Sequence, residues 1–169
     1  DVREAEAIGK LIDETVSEHG RLDYMFNNAG INIAGEARDL LPEHWKRVLD
    51  INLMGVVHGT RIAYSLMVRQ GFGHIVNTSS LCGLMPVPLE VPYATAKHAV
   101  VGLSTSLRAE GAALGTAALV FLAGQHGFGG GAVGKTALAV ASAKAALPTV
   151  QLFFLAVLLI ISAYALFLF

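Results

Sequence analysis

Short apolar runs alternate with long amphipathic stretches over the first two thirds of the chain, and this alternation limits the possible folds more than any other feature. Three apolar runs have the length of buried strands, at 22–26, 74–78 and 117–122. Three stretches have apolar residues at helical spacing, at 3–19, 43–69 and 93–107. Strands that alternate with long helices predict an α/β fold whose parallel sheet is covered on both faces. Ligands of such sheets bind beyond the carboxyl ends of the strands.

Charged residues are confined almost entirely to residues 1–110. All 13 acidic residues and 10 of the 12 basic ones lie there, and beyond Glu110 the only charges are Lys135 and Lys144. The chain ends in an uncharged run of 21 residues, 149–169. Since about 20 apolar residues span a bilayer core, this run predicts a C-terminal transmembrane helix. The two lysines favour the cytoplasmic side for the rest of the chain. A buried helix or strand is the alternative.

Three segments follow from these patterns: an α/β domain at 1–122, a Gly/Ala-rich linker at 123–148 and the membrane helix at 149–169. A net charge of −1 without a basic cluster argues against nucleic-acid binding. The lone cysteine, Cys82, cannot form an internal disulfide and is expected to be a small buried hydrophobe. The six histidines lack the spacing of metal ligands, so no metal site is predicted.

Tyr93 and Lys97 form the pair with the clearest chemical meaning. They lie four residues apart in VPYATAKHAVVGL, so a helix places both side chains on one face within reach of each other. An ammonium favours phenolate and lowers a tyrosine pKa from about 10 towards neutral pH. Tyr93 is therefore a candidate general acid/base. A surface pair on an amphipathic helix is the alternative.

Three further motifs precede this pair. They are LDYMFNNAG at 22–30, Asn52 in VLDINLMGVVHGT, and Ser80 at the end of HIVNTSS, 13 residues before Tyr93. From residue 1 to about 115, their order and spacing resemble the short-chain dehydrogenase/reductase family. The resemblance implies an incomplete Rossmann-like α/β fold and an enzyme that interconverts a small-molecule alcohol and a carbonyl with NAD or NADP.

The resemblance also implies a role for each catalytic residue. Tyr93 exchanges a proton with the substrate oxygen, while Lys97 lowers the Tyr93 pKa and holds the nicotinamide ribose. Ser80 hydrogen-bonds the substrate oxygen, and Asn52 holds a water of the proton relay. Ser79 is the alternative to Ser80 as the residue that hydrogen-bonds the substrate oxygen. A buried structural amide is the alternative for Asn52.

For the cofactor, the resemblance implies that Asn27, Ala29 and Gly30 lie against the adenosine side and that Asp1 and Val2 meet the adenine. Tyr93 and Lys97 complete this predicted binding set. The alternatives are that Gly30 only supplies a positive φ and that Asn27 only braces the turn.

Two parts of the family pattern do not occur in this sequence. One is the opening strand with its TGxxxGxG turn, together with the next strand, which carries the side chain that selects NAD or NADP. The sequence is therefore expected to be a fragment or the product of a truncated reading frame. The other is the Pro-Gly turn and substrate lid after the third strand. In their place, residues 129–136 formally match a phosphate-binding P-loop. A flexible Gly-rich linker is the alternative there.

The sequence thus supports two main functions. The first is a dehydrogenase, membrane-associated through 149–169. The rival is a catalytically silent, membrane-associated remnant that binds a partner through helices 43–69 and 93–110. The resemblance implies a homo-oligomer through the same two helices.

Overall fold

The computed structural model describes residues 1–114, 116–123 and 139–141. Its helices and strands are α1 (Ala5–His19), β1 (Tyr24–Asn27), α2 (Pro42–Leu49), α3 (Gly55–Gln70), β2 (Gly73–Ser80), α4 (Val91–Gly111), β3 (Thr116–Ala123) and β4 (Ala139–Ala141). A π-helical turn, Asp50–Met54, joins α2 to α3, and 3-10 turns occupy Leu81–Gly83 and Ala112–Leu114. Each strand and helix predicted from periodicity occurs, with bounds shifted by a few residues.

The sheet has the strand order β3-β2-β1-β4. β1 and β2 are parallel, with Asn27 opposite Asn77, and β2 and β3 are parallel, with Ser80 opposite Ala123. The predicted parallel sheet is present in β1, β2 and β3, and β4 departs from it because it runs antiparallel to β1. β4 lies inside the segment predicted as a linker. A short strand can pair with β1 in this way because a sheet edge presents unpaired backbone N–H and C=O groups.

The helices of the described residues pack on one face of the sheet. Met25 of β1 and Ile75 of β2 lie in a core with Ile8 and Ile12 of α1 and with Met67 of α3. Since strand residues alternate between faces, Tyr24, Phe26 and His74 lie on the opposite face, where their rings stack. The prediction of helices on both faces is therefore wrong for the described part of the chain.

α4 covers the same face as α1 and α3, beside β2. Asn77 of β2 donates a hydrogen bond from Nδ2 to Ser104 Oγ of α4 (2.9 Å). Near the start of α4, Tyr93 and Ala96 share a second core cluster with Val48 of α2 and Cys82. Cys82 is buried, as predicted. This second cluster fixes the amino-terminal end of α4 beside the carboxyl end of β2.

The predicted helix 43–69 is one helical run with a π turn in it. Gly55 and Gly59, four residues apart in this run, allow a close approach to neighbouring groups. A Cβ on Gly55 would lie 2.9 Å from Val2 Cγ2, and one on Gly59 would overlap the amide oxygen of Asn27. Glycine at these positions therefore lets α3 lie directly against β1 and the first residues of the chain.

Candidate active site

Tyr93 and Lys97 lie one turn apart near the start of α4, where Pro92 occupies a first-turn position that proline tolerates. Both side chains are buried, with 5% of Tyr93 and 3% of Lys97 exposed. The Lys97 ammonium lies 5.5 Å from the centroid of the Tyr93 ring. The structure therefore brings together the cation and the phenol that the sequence pairs.

The Lys97 ammonium is held by the strand that carries the candidate serines. Nζ donates a hydrogen bond to the backbone oxygen of Thr78 at 2.8 Å. Burial lowers the pKa of Lys97 from its ordinary 10.5 to about 8, partly offset by Cys82, which raises it. A lysine with this pKa is still mostly protonated at pH 7. An ammonium has three donors, so the bond to Thr78 leaves donor capacity for a ligand.

The two serines at the end of β2 have different hydrogen-bond partners. Ser79 Oγ donates to the backbone oxygen of Lys97 at 2.9 Å, which ties β2 to α4. Ser80 Oγ accepts a bond from the backbone N–H of Cys82 at 3.2 Å. A hydroxyl that accepts a bond still has its own hydrogen to donate. This difference favours Ser80 over Ser79 as the residue that contacts a substrate.

Asn52 lies in the π-helical turn rather than in a regular helix. Its side chain is fully buried. Oδ1 accepts from the backbone N–H of Ile31 at 2.8 Å, and Nδ2 donates to the Ile31 oxygen at 2.7 Å. Both ends of the amide therefore fix the backbone that follows NNAG, as the structural alternative anticipated. π turns are rare in helices and frequent at functional sites.

Gly30 lies between Asn52 and Lys97. A Cβ on Gly30 would stand 3.4 Å from Asn52 Oδ1 and 3.8 Å from Lys97 Nζ. Gly30 is not among the described glycines with positive φ, so the conformational alternative is wrong. Because Gly30 has no side chain, open space remains beside the Lys97 ammonium. Ala29, the preceding residue, is half-buried on the same segment.

Asn27 does not direct its side chain outward. Nδ2 donates to Asn77 Oδ1 at 2.8 Å and to Thr60 Oγ1 at 3.2 Å, in the buried layer between the sheet and the helices. Its Oδ1 has no hydrogen-bond partner among the described residues and rests against Gly59. Asn28 accepts from Thr78 Oγ1 at 2.7 Å. The side chain of Asn27 thus braces the sheet.

Asp1 and Val2 have different contacts. The Asp1 carboxylate accepts from the backbone N–H of Arg3 at 3.0 Å and from its guanidinium. Val2 packs its side chain on Gly55, one residue after the π turn that contains Asn52. Val2 therefore contacts the helical run that also contains Asn52.

Sequence reasoning missed the backbone groups that assemble the site. The Thr78 oxygen that holds Lys97 and the Ile31 peptide that holds Asn52 have no signature in residue type. It also missed the buried pair Asn27–Asn77. A signal existed there, since two asparagines stand inside apolar runs on neighbouring predicted strands, where buried amides need partners.

Two sequence predictions lie outside the described residues: the P-loop match at 129–136 and the transmembrane helix at 149–169. Among the residues that the structure describes, no helix is both long and apolar enough to cross a bilayer. The same part of the chain contains no cluster of three potential metal ligands.

Comparison with known proteins places these features in context. The family model for short chain dehydrogenases matches residues 1–124. Probable oxidoreductase EphD of Mycobacterium tuberculosis is 42% identical over 111 residues, which is 65% of this chain and 19% of EphD. Human 15-hydroxyprostaglandin dehydrogenase [NAD(+)] is 36% identical over 109 residues, which is 63% of this chain and 38% of that protein.

A solved structure of ElxO with NADP bound superimposes with a TM-score of 0.71 and 30% sequence identity. The match covers 73% of this chain and 50% of the ElxO chain. The chain therefore spans half or less of the length of each of these three proteins.

Proposed function

Because this chain belongs to the short chain dehydrogenase family, we propose that its site serves an oxidoreductase that interconverts an alcohol and a carbonyl with NAD or NADP. The observation that carries the proposal is the double contact of Lys97. Its ammonium is buried 5.5 Å from the Tyr93 ring and is bonded to Thr78, two residues before Ser80. Lys97 thereby connects Tyr93, the candidate proton donor, to the end of β2, where Ser80 is the candidate hydrogen-bond donor to the substrate.

The proposed chemistry assigns one task to each side chain. When a carbonyl is reduced, Ser80 donates a hydrogen bond to the carbonyl oxygen and Tyr93 gives that oxygen a proton. When an alcohol is oxidised, Tyr93 takes the proton from the hydroxyl. The Lys97 ammonium stabilises negative charge that develops on the phenol oxygen. A bound nicotinamide cofactor supplies or accepts the hydride.

The described residues fit a nicotinamide cofactor on the side of the site that faces Lys97. Gly30 leaves space beside the ammonium that any side chain would fill, and the donors that Thr78 does not use are suited to ribose hydroxyls. The predicted adenosine contacts of Asn27 and Ala29 and the predicted adenine contacts of Asp1 and Val2 stand as part of the proposal. ElxO was solved with NADP bound, and human 15-hydroxyprostaglandin dehydrogenase is named for NAD(+), so the proposal includes both cofactors.

Asn52 acts in this scheme through its backbone. Its amide is committed to Ile31, so a relay water at this position would be held by a main-chain carbonyl of the π turn. The side chain would then position the turn and the Gly30 segment together.

Replacing Tyr93 by Phe tests the proposal. The variant keeps the buried ring and removes the hydroxyl, so turnover should fall about 100- to 10,000-fold, the usual contribution of a general acid/base. Cofactor affinity should stay within a few-fold. Tyr24→Phe is the matched control, because Tyr24 lies on the face of the sheet away from α4. Undiminished turnover in Tyr93→Phe would remove this residue from the mechanism.

The silent remnant is the competing function, and titration with NADH or NADPH separates the two. Fluorescence enhancement on binding supports the dehydrogenase, and no binding at millimolar cofactor supports the remnant.

Two further proposals rest on sequence. Membrane association through 149–169 predicts that the full chain needs detergent for extraction. A homo-oligomer through helices 43–69 and 93–110 predicts more than one chain per particle in light scattering.

A further inference from the structure

The segment that connects Ser80 to Tyr93 displays an unusual amount of apolar surface. It comprises residues 81–91, named here the rim loop. Five of its 11 residues are large hydrophobic side chains with 37–56% of their surface exposed, namely Leu81, Leu84, Met85, Leu89 and Val91. Single exposed apolar residues are common on proteins, but a contiguous set marks a binding surface. This set is continuous with both ends of the candidate site, because the chain enters it from Ser80 and leaves it towards Tyr93.

The rim loop carries no free charge with which to hold a charged ligand. It contains no Lys, Arg or His, and Glu90 is its only ionisable carboxylate. Glu90 accepts a hydrogen bond from Asn32 Nδ2 at 2.8 Å, and its other oxygen lies 3.6 Å from the Cys82 sulfur. The acid is therefore engaged within the protein, and what the loop presents outward is apolar.

Leu89 has a backbone conformation that leucine rarely adopts. Its φ is +67°, a left-handed conformation that costs a bulky residue on the order of 1–3 kcal/mol. The conformation is fixed from outside the loop, because the Leu89 oxygen accepts a hydrogen bond from the backbone N–H of Gly35 at 2.8 Å. Glycine or asparagine would fit this position with less strain. A strained leucine that is also 46% exposed contributes little to the core, so its side chain serves another purpose.

We propose that the rim loop is the substrate-facing wall of the site and that it selects uncharged alcohols and ketones with a large apolar group, with Leu89 as a specificity-determining residue. This inference rests on the proposed dehydrogenase function. The substrate oxygen binds Ser80 and Tyr93, and its hydrocarbon part covers the leucines and the methionine of the loop. Carboxylates and phosphates find no cation there.

The first test measures kcat/KM of the full chain for the 2-alkanols from butanol to decanol with NAD and NADP, and for 3-hydroxybutyrate as a charged substrate. Burial of each added methylene on the rim should raise kcat/KM about fourfold until the loop is covered. The hydroxy acid should be a poorer substrate than 2-butanol. Turnover that is flat with chain length, or that prefers the hydroxy acid, overturns the inference and leaves the dehydrogenase function intact. Absence of turnover with every alcohol and ketone overturns both.

The second test replaces Leu89. Leu89→Asn should keep the thermal stability, because asparagine tolerates a positive φ, and should reduce kcat/KM for 2-octanol at least fivefold more than for 2-butanol. Leu89→Met should retain the preference for the long alcohol. The matched control is Leu114→Asn, since Leu114 is equally exposed but lies beyond the far end of α4, about 30 Å away by the helical rise.

A Leu89→Asn protein that keeps the full preference for 2-octanol contradicts the assignment of Leu89. If that variant unfolds, Leu84→Asn takes its place, because Leu84 is exposed and has no strained backbone to disturb. Loss of the preference in the Leu114 control would show that the effect is not local and would also overturn the assignment.

Discussion

Lys97→Met separates the stability cost of the buried ammonium from its proposed catalytic use. Methionine is unbranched and of similar length, so it can fill the same space without the charge. A pKa of about 8 instead of 10.5 means that holding Lys97 charged in the folded protein costs about 3 kcal/mol at neutral pH. The substitution removes this cost, but it leaves the Thr78 oxygen without its donor, a loss of about 1–3 kcal/mol.

The dependence on pH isolates the first of these two effects. Below pH 8 the lysine is charged in both the folded and the unfolded chain, so the penalty is fully present. Between pH 8 and 10.5 the folded chain has released a proton that the unfolded chain still holds, and the stability of the wild type rises with pH. Above pH 10.5 the penalty is gone. The bond to Thr78 does not change the sign of this trend.

The free energy of unfolding of Lys97→Met relative to the wild type should therefore fall by about 3 kcal/mol between pH 7 and pH 10.5. Urea denaturation at pH 7, 8.5 and 10 measures it. Lys10→Met, on the exposed side of α1, controls for the loss of one lysine. A difference between wild type and Lys97→Met that is constant with pH would refute the burial argument. Turnover should be lost in Lys97→Met at every pH.

Three other substitutions test separate contacts. Gly59→Ala should destabilise the fold by about 1–3 kcal/mol in urea denaturation, because its Cβ would collide with the sheet. The control is Gly102→Ala, which has open space around it and should stabilise α4 by about 0.5–1 kcal/mol. Equal effects of the two substitutions would contradict the close approach at Gly59. Asn52→Ala should cost about 1–3 kcal/mol, because it leaves the part-buried backbone N–H and C=O of Ile31 without their partner. Hydrogen exchange should accelerate in the loop after β1, and unchanged exchange would count against this role. Ser80→Ala should lower kcat at least 100-fold while Ser79→Ala mainly lowers stability, and the reverse result would exchange their roles.

The parts of the site that sequence could predict are those set by local geometry. Tyr93 and Lys97 meet because a helix brings residues four apart onto one face, and no tertiary information is needed to expect it. The position of the Ser79–Ser80 pair was predictable in the same way, since a strand that ends before a helix directs its last residues to the edge of the sheet where ligands bind. The choice of Ser80 within that pair came from the family resemblance.

The parts that sequence could not predict depend on contacts between distant residues. The π turn at Asp50–Met54 accompanies the two hydrogen bonds of Asn52 to Ile31, 21 residues away, and periodicity alone predicts a regular helix there. β4 pairs with β1 across more than 100 residues, and its alanines and valine give no strong strand signal.

The orientation of Asn27 could have been predicted from alternation. Met25 is apolar and faces the helices, so Asn27, two residues later, faces the same way. The NNAG motif pointed instead to the cofactor. The family resemblance places Asn27 against a cofactor, whereas the alternation of side chains along β1 decides that its amide lies between the sheet and the helices.

The account depends on Ser80 and Tyr93 reaching one substrate atom beside the Lys97 ammonium. A crystal structure of the full chain with a nicotinamide cofactor and a bound ketone tests this directly. The expected result is a ketone oxygen within about 3 Å of both Ser80 Oγ and the Tyr93 hydroxyl, with Lys97 Nζ still bonded to Thr78. A ketone oxygen that contacts neither hydroxyl, or a Lys97 ammonium turned away from Tyr93, would contradict the account.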